Sequence, residues 1–304
     1  MIGRVTQQTV QRSTLTNLQT NLSAMSDLQN RLSGNKRITK PSDDPAGTAS
    51  ALALRSSLRQ IEQHDRNIAD GIGWLTTIDT ALTTSVSLVG KARDLTVQGS
   101  NTGSLTPEAR VALAVEIEGL RDNLLAQANS TYLGRSVFAG TSDAESVYAR
   151  DSTAGPVAYT AGPAKPNPVE RRVNADTTIR VDVEAREAFG SDDDAGSVFA
   201  TLDLIAASLR SGTGNPSDHL AALDGHRDDM LRELSGVGAR HNQVLAAQSN
   251  ALTIKTELTG QLGAVEDADL AASIVELQMQ EVAYKAALGA TSRVLQPTLM
   301  DFLR

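Results

Sequence analysis

Between residues 5 and 32 the apolar positions Leu15, Leu18, Leu22, Met25 and Leu32 recur at three- and four-residue steps on a background of Gln, Asn, Thr and Ser. That spacing predicts an amphipathic helix with a narrow apolar stripe, which it cannot bury alone. A longer register follows through Leu54, Leu58, Ile61, Ile68, Ile72, Leu75, Leu82, Val86 and Val89, interrupted by Asp65 and Asp79. Gly71 and Gly73 are expected to weaken it locally. Continued to about Val97, such a helix is roughly 80 Å long at about 1.5 Å per residue. Leu113, Ile117, Leu120 and Leu124 carry a third helix, and Val198 to Leu209 a fourth. A long helix follows with Leu220, Leu223, Met230, Leu234, Val237, Val244, Ala251, Leu258, Leu262 and Val265 in register. A last one carries Leu270, Ile274, Leu277, Tyr284, Leu288 and Leu295, before the apolar tip Leu299-Met-Asp-Phe-Leu-Arg304.

The breaks between these stripes have their own chemistry. Ser33-Gly34-Asn35 suits a left-handed helix end. Asp44 is placed to accept backbone N–H bonds as a helix cap, and Pro45 fits the first helical position. Thr106-Pro107-Glu108 and Asn215-Pro216 repeat that start. Between residues 136 and 195 the character changes. Pro156, Pro163, Pro166 and Pro168 gather there, and Val169–Val173 and Thr177–Val183 alternate around Asn174-Ala-Asp176. This predicts a β-hairpin with a three-residue loop.

The expected fold class is therefore mainly α with a small β insert, a long antiparallel helical bundle or coiled coil built from both chain ends. Three parts are expected: terminal arms at 1–40 and 266–304, a helical rod at 41–135 and 196–265, and a β-rich part at 136–195. The inner helices read as an intramolecular core. The stripes on the arms, each about 35 residues long, offer a two-helix seam with little burial, and are expected to pack against other copies.

Composition narrows the function. Of 304 residues, 3% are aromatic, so apolar surface comes from Leu, Val, Ile and Ala and suits helix seams better than a thick core. A net charge of −8 with no basic patch argues against a nucleic-acid partner. The absence of cysteine excludes disulfides and thiolate metal sites. No apolar run is long enough for membrane insertion. The first residues lack an apolar signal core, so the expectation is a chain that stays inside the cell or leaves without a cleaved signal.

Candidate catalytic chemistry is thin. His219 and His226 are seven residues apart, with Asp228 and Asp229 near, whereas helical metal sites favour spacings of three or four. His64 reads as a surface residue. Ser191-Asp-Asp-Asp-Ala-Gly196 lacks further ligands at calcium-loop spacing. Neither a phosphate-binding loop nor a nucleophile elbow is present. The expectation is a protein that is not an enzyme and needs no cofactor or metal.

Several blocks, in order, carry a resemblance. Arg31-Leu-Ser-Gly-Asn-Lys-Arg-Ile38 followed by Ser42-Asp-Asp-Pro-Ala-Gly47 resembles the N-terminal signature of the bacterial flagellin family. Leu95-Thr-Val-Gln98, Asn129-Ser-Thr131 and Gly134-Arg-Ser-Val-Phe-Ala-Gly-Thr141 resemble its next blocks. Leu277-Gln-Met-Gln-Glu-Val-Ala-Tyr284 through Asp301-Phe-Leu303 resembles its C-terminal helix, and the ending is closer to the hook-associated branch than to filament subunits. Pro297 and Phe302 depart from the usual ending.

The resemblance implies a structural protein of the bacterial flagellum, exported unfolded through a type III channel with a chaperone. It implies a ring of subunits at the hook–filament junction, with hook-associated protein 1 and flagellin as neighbours. The assembly interface would then comprise Leu15, Leu18, Leu22, Met25, Leu32, Leu277, Tyr284, Leu288, Leu295, Leu299, Phe302 and Leu303. Gly34, Asp44 and Pro45 would form a hinge with helix caps between an inner-tube arm, disordered before assembly, and the rod. A short flagellin is the alternative within the family, and a helical signalling module the alternative outside it.

Overall fold

The computed structural model describes residues 7–101, 105–150, 157–160, 167–191 and 196–294, without the side chains of residues 7, 8, 10, 11, 159, 293 and 294. Seven helices lie among the described residues: α1 (Gln7–Gly34), α2 (Pro45–Gly99), α3 (Pro107–Ala128), α4 (Ala185–Phe189), α5 (Val198–Ser211), α6 (Leu220–Glu266) and α7 (Leu270–Val294). α2 has 55 residues, which at about 1.5 Å each is roughly 80 Å. The polar starts work as caps. Thr106 Oγ1 accepts the Ala109 N–H at 3.3 Å, and Ser197 Oγ that of Ala200 at 3.2 Å. Asn215 opens a single 3₁₀ turn, Pro216–His219, that leads into α6. His219 and His226 thus sit in different elements.

The chain folds as two units, residues 1–60 with 254–304 and residues 61–253. The second unit holds a continuous apolar core. Ile68, Leu75, Ile78 and Leu82 of α2, Ile117 and Leu124 of α3, Leu202 and Ile205 of α5, and Met230 and Val237 of α6 are buried in it. Ion pairs tie the helices at the rim: Arg210 with Glu118 at 2.5 Å, Arg121 with Asp203, and Arg93 with Asp224 at 2.7 Å. The few aromatic residues concentrate here. Phe138 meets Phe189 edge-on at 5.2 Å between centroids, and Tyr148 lies 4.9 Å from Phe199. Low aromatic content therefore coexists with a dense aromatic centre, because the fold brings together rings from two stretches of chain, 138–148 and 189–199.

Three separate two-stranded ribbons border this core. β1 (Thr131–Tyr132) pairs with β2 (Arg135–Ser136) around Leu133-Gly134, whose φ values of 50° and 80° make a turn of the kind that matches strand twist. β3 (Tyr148–Arg150) pairs with β4 (Val157–Tyr159). β5 (Glu170–Arg172) pairs with β6 (Thr178–Arg180), and the Val173 N–H donates to Thr177 O at 3.0 Å to close the expected three-residue loop. This last ribbon lies on α2, where Asn67 Nδ2 donates to Arg172 O at 2.9 Å and Arg171 pairs with Asp70 at 2.5 Å.

Gly71 and Gly73 of α2 have a packing reason. A β-carbon on Gly71 would come within 3.3 Å of Val181 Cγ1, and one on Gly73 would overlap the Tyr132 ring. The helix cost of about 1 kcal/mol per glycine is offset by letting the ribbons approach its backbone. The neighbouring Trp74 is buried under Tyr132, edge-on at 6.0 Å, with the Arg135 and Arg171 guanidinium groups over its ring.

Candidate assembly surface

α1 and α7 belong to the first unit and run antiparallel. Asn35 at the end of α1 bonds to Ala268 just before α7, while further along Gln280 Nε2 donates to Asn21 O at 3.3 Å. The covered positions of α1 include Thr14, Leu18, Asn21, Met25, Leu28 and Leu32, with Ala24 and Arg31 beside them; those of α7 include Ser273, Leu277, Gln280, Tyr284, Ala287 and Thr291, with Glu281 beside them. Both sets step by three and four, the heptad seam of a coiled coil. Among the described side chains only Leu28 and Thr291 are buried in it. One fully covered leucine contributes about 2–3 kcal/mol. Ordering each residue costs about 1–2 kcal/mol. The pair is therefore thin for its length, and four of these six α7 positions, Ser273, Gln280, Ala287 and Thr291, are polar or small.

The predicted stripe residues separate by exposure. Leu18, Met25, Leu32, Leu277 and Tyr284 lie in the seam, half-buried. Leu15, Leu22 and Leu288 flank it and are exposed, Leu15 by 57%. Leu295, Leu299, Phe302 and Leu303 lie outside the described residues. Leu28, absent from the sequence-derived stripe, is the most deeply covered apolar residue of α1. A second stripe was also missed. Val275, Met279, Val282 and Ala286 follow helical spacing on the side of α7 turned away from α1, and they line one shallow apolar groove. Val282 is 66% and Met279 62% exposed. α7 is thus apolar on two opposite faces, a pattern that belongs to a helix enclosed on all sides.

The joint between α1 and α2 is built from the signature residues. Gly34 is the last helical residue; Asn35, with φ of 50°, takes the left-handed position. The Asn35 N–H donates to Leu32 O and that of Lys36 to Arg31 O, the paired bonds of a left-handed cap. The two aspartates divide the work. Asp43 Oδ2 accepts from the Thr39 hydroxyl at 2.8 Å and from the Lys40 and Thr39 amides, which holds its carboxyl below the usual range. Asp44 Oδ1 accepts the Gly47 N–H at 2.8 Å and caps α2, with Pro45 first in the helix.

A second joint, between α6 and α7, meets the first. Lys36 and Asp267 form an antiparallel bridge, and the Arg37 N–H donates to Glu266 O at 2.6 Å. Lys36 Nζ reaches Asp267 at 2.7 Å and Glu266 at 3.3 Å, and Arg55 of α2 reaches Glu266 at 2.8 Å. The Asp267 hydrogen bond is the main reason that the Lys36 ammonium is held above its ordinary range. The Glu266 carboxylate is 5% exposed at the end of α6, where the helix dipole disfavours negative charge, so the two cations are needed to keep it there.

Among the described residues no group of three or more His, Asp and Glu side chains could hold a metal ion, and no helix is long and apolar enough to cross a membrane. His226 is buried and shares a hydrogen bond with Thr201 Oγ1 at 3.3 Å.

Residues 5–143 match the family model described as the bacterial flagellin N-terminal helical region. A flagellin of Bacillus subtilis is 24% identical over 298 residues, covering 93% of each chain. Flagellar hook-associated protein 3 of Escherichia coli is 25% identical over 283 residues, 86% of this chain and 87% of its own. A solved structure of a flagellar hook-associated protein from Vibrio parahaemolyticus shares the fold with a TM-score of 0.66 at 22% identity, covering 74% of this chain and 100% of that one.

Proposed function

We propose that the chain, whose residues 5–143 match the flagellin N-terminal family model, is a structural subunit of the bacterial flagellum, seated at the hook–filament junction. Its neighbours there are further copies of itself in a ring, hook-associated protein 1 on the hook side and flagellin on the filament side. The observation that carries this reading is α7, apolar on opposite faces but covered on one side only, by α1. A ring of copies supplies the missing cover. Residues 1–40 with 266–304 form the inner tube, 41–135 with 196–265 the rod, and 136–195 the outer part.

The thin α1–α7 seam supports arms that order on assembly, which suits a chain exported unfolded, held by a chaperone, and folded at its destination. Hook-associated names among the relatives and the Asp301-Phe-Leu303 ending support the junction over the filament. A deletion strain should release unpolymerised flagellin and regain filaments on complementation; normal filaments in that strain would sink the reading. The similarity to a flagellin over 93% of each chain favours a second reading, a short filament subunit. Purified protein that polymerises alone into long filaments would decide for it.

A further inference from the structure

The crossing of the two joints of the first unit gathers Lys36, Arg55, Glu266 and Asp267. We propose that Glu266, with Lys36 and Arg55, is an electrostatic latch that holds the root of the arm closed and sets the register in which α1 and α7 pair. The inference rests on the assembly reading only for its purpose; the latch itself is a property of the single chain.

The geometry makes the crossing a double-stranded root. Arg37 N–H to Glu266 O at 2.6 Å, Ala268 N–H to Asn35 O at 3.3 Å and Arg37 Nη2 to Val265 O at 3.0 Å join two segments about 230 positions apart in sequence. The Glu266 side chain is buried, yet receives one cation from the α1–α2 joint and one from α2 itself. Such a carboxylate stays only while both cations stay. Lys36 binds Asp267 as well, so one side chain spans both acidic residues of the α6–α7 joint. Bringing α1 and α7 together from a free chain costs the closure entropy of a very long loop. A closed root removes that cost, leaving the seam to zip from Leu32 and Ser273 outward. The polar Asn21–Gln280 contact then falls in place, and α1 cannot slip by a turn along an α7 that offers apolar residues on other faces.

The test uses the full chain as a dilute monomer. Amide exchange is read at Arg37 and Ala268, whose N–H groups make the crossing bonds, and at residues 240–255 of α6 as an internal control. The chain has no cysteine, so Ser33→Cys with Ala271→Cys gives a single pair of probes at the root of the arm. Glu266→Gln, and separately Lys36→Gln with Arg55→Gln, should speed exchange at both amides about tenfold or more, a loss of about 1.4 kcal/mol or more, and broaden the probe separation. The control region should be unchanged. Unaltered exchange at both amides in both variants would overturn the latch. Acceleration in Glu266→Gln that extends equally through 240–255 would also overturn it, assigning Glu266 to α6 stability. Neither readout involves assembly, so a failed junction reading leaves it untouched.

Discussion

The Asn129 side chain grips the backbone of Tyr148 from both sides: Nδ2 donates to its carbonyl at 2.7 Å and Oδ1 accepts its amide at 3.1 Å. Oδ1 also accepts the Val147 amide at 2.8 Å. One residue at the end of α3 thereby fixes the strand that delivers Tyr148 into the aromatic centre. Asn129→Ala removes these three hydrogen bonds, at a cost of about 2–3 kcal/mol. The second unit should melt about 5–10 °C lower, followed by near-ultraviolet circular dichroism. Asn129→Asp should do at least as much harm, since a carboxylate oxygen would face the Tyr148 carbonyl.

A β-carbon on Gly47 would sit 2.7 Å from Ile38 Cδ1 and 2.5 Å from Asp44 Oδ2. Ile38 can move, but the Asp44 carboxylate cannot shift without releasing the Gly47 amide that it caps. Gly47→Ala should cost about 1 kcal/mol, the usual worth of a helix cap. Faster exchange at the amides of residues 47 and 48, with the rest of α2 unaffected, is the expected signature.

This joint also shows why some of the molecule was legible in sequence. Asp44-Pro45, Thr106-Pro107 and Asn215-Pro216 each mark a helix start by a local hydrogen bond, so the main helices followed from short stretches of chain. The β5–β6 hairpin followed from alternation around Asn174-Ala-Asp176. Other features had no local signature. β1–β2 and β3–β4 are two or three residues long, too short for a period to show. Phe138, Tyr148, Phe189 and Phe199 meet only through the tertiary fold. The α1 seam includes Thr14 and Asn21, so a count of large apolar residues selected the flanking Leu15 and Leu22 and passed over Leu28. The Val275–Met279–Val282 stripe had a readable spacing, hidden because another apolar face shares the helix.

Burial holds the His226 imidazole below its ordinary range, against a smaller opposing pull from Asp229. The unfolded chain therefore binds a proton more readily than the folded one below about pH 6.5, and stability falls with pH through that region. Glu233 works the other way: its carboxyl is raised, chiefly by burial, so its contribution grows as pH falls. The informative quantity is the difference between wild type and His226→Gln in melting temperature from pH 7.5 to pH 5. The wild type should lose more on acidification than the variant; parallel curves would remove His226 as the source.

Leu133 is 81% exposed and holds φ of 50°, a conformation that favours Gly or Asn. Folding gains nothing from leucine there. Leu133→Asn gives the Asn-Gly pair preferred in this turn, and should raise stability by about 0.5–1 kcal/mol, seen as a higher unfolding midpoint in urea. A lower midpoint would mean that the tip makes a packing contribution its exposure does not show.

The arms carry the most demanding test. Leu18 lies in the α1–α7 seam, Leu288 on its flank and Val282 on the opposite face of α7. If the seam alone mattered, Leu18→Asp would be harmful and Val282→Asp silent. If α7 is enclosed by neighbouring copies, all three substitutions place a charge in an apolar contact at a cost of several kcal/mol per subunit, and all three should block assembly seen by electron microscopy. All three positions belong to the first unit, so melting of the second unit should be unchanged in each variant. In the wild-type monomer, amides of residues 7–30 and 274–294 should exchange fast, because one buried leucine cannot hold two helices of this length. Protection of both helices in dilute monomer, together with assembly by Val282→Asp, would show that the second apolar face of α7 needs no partner.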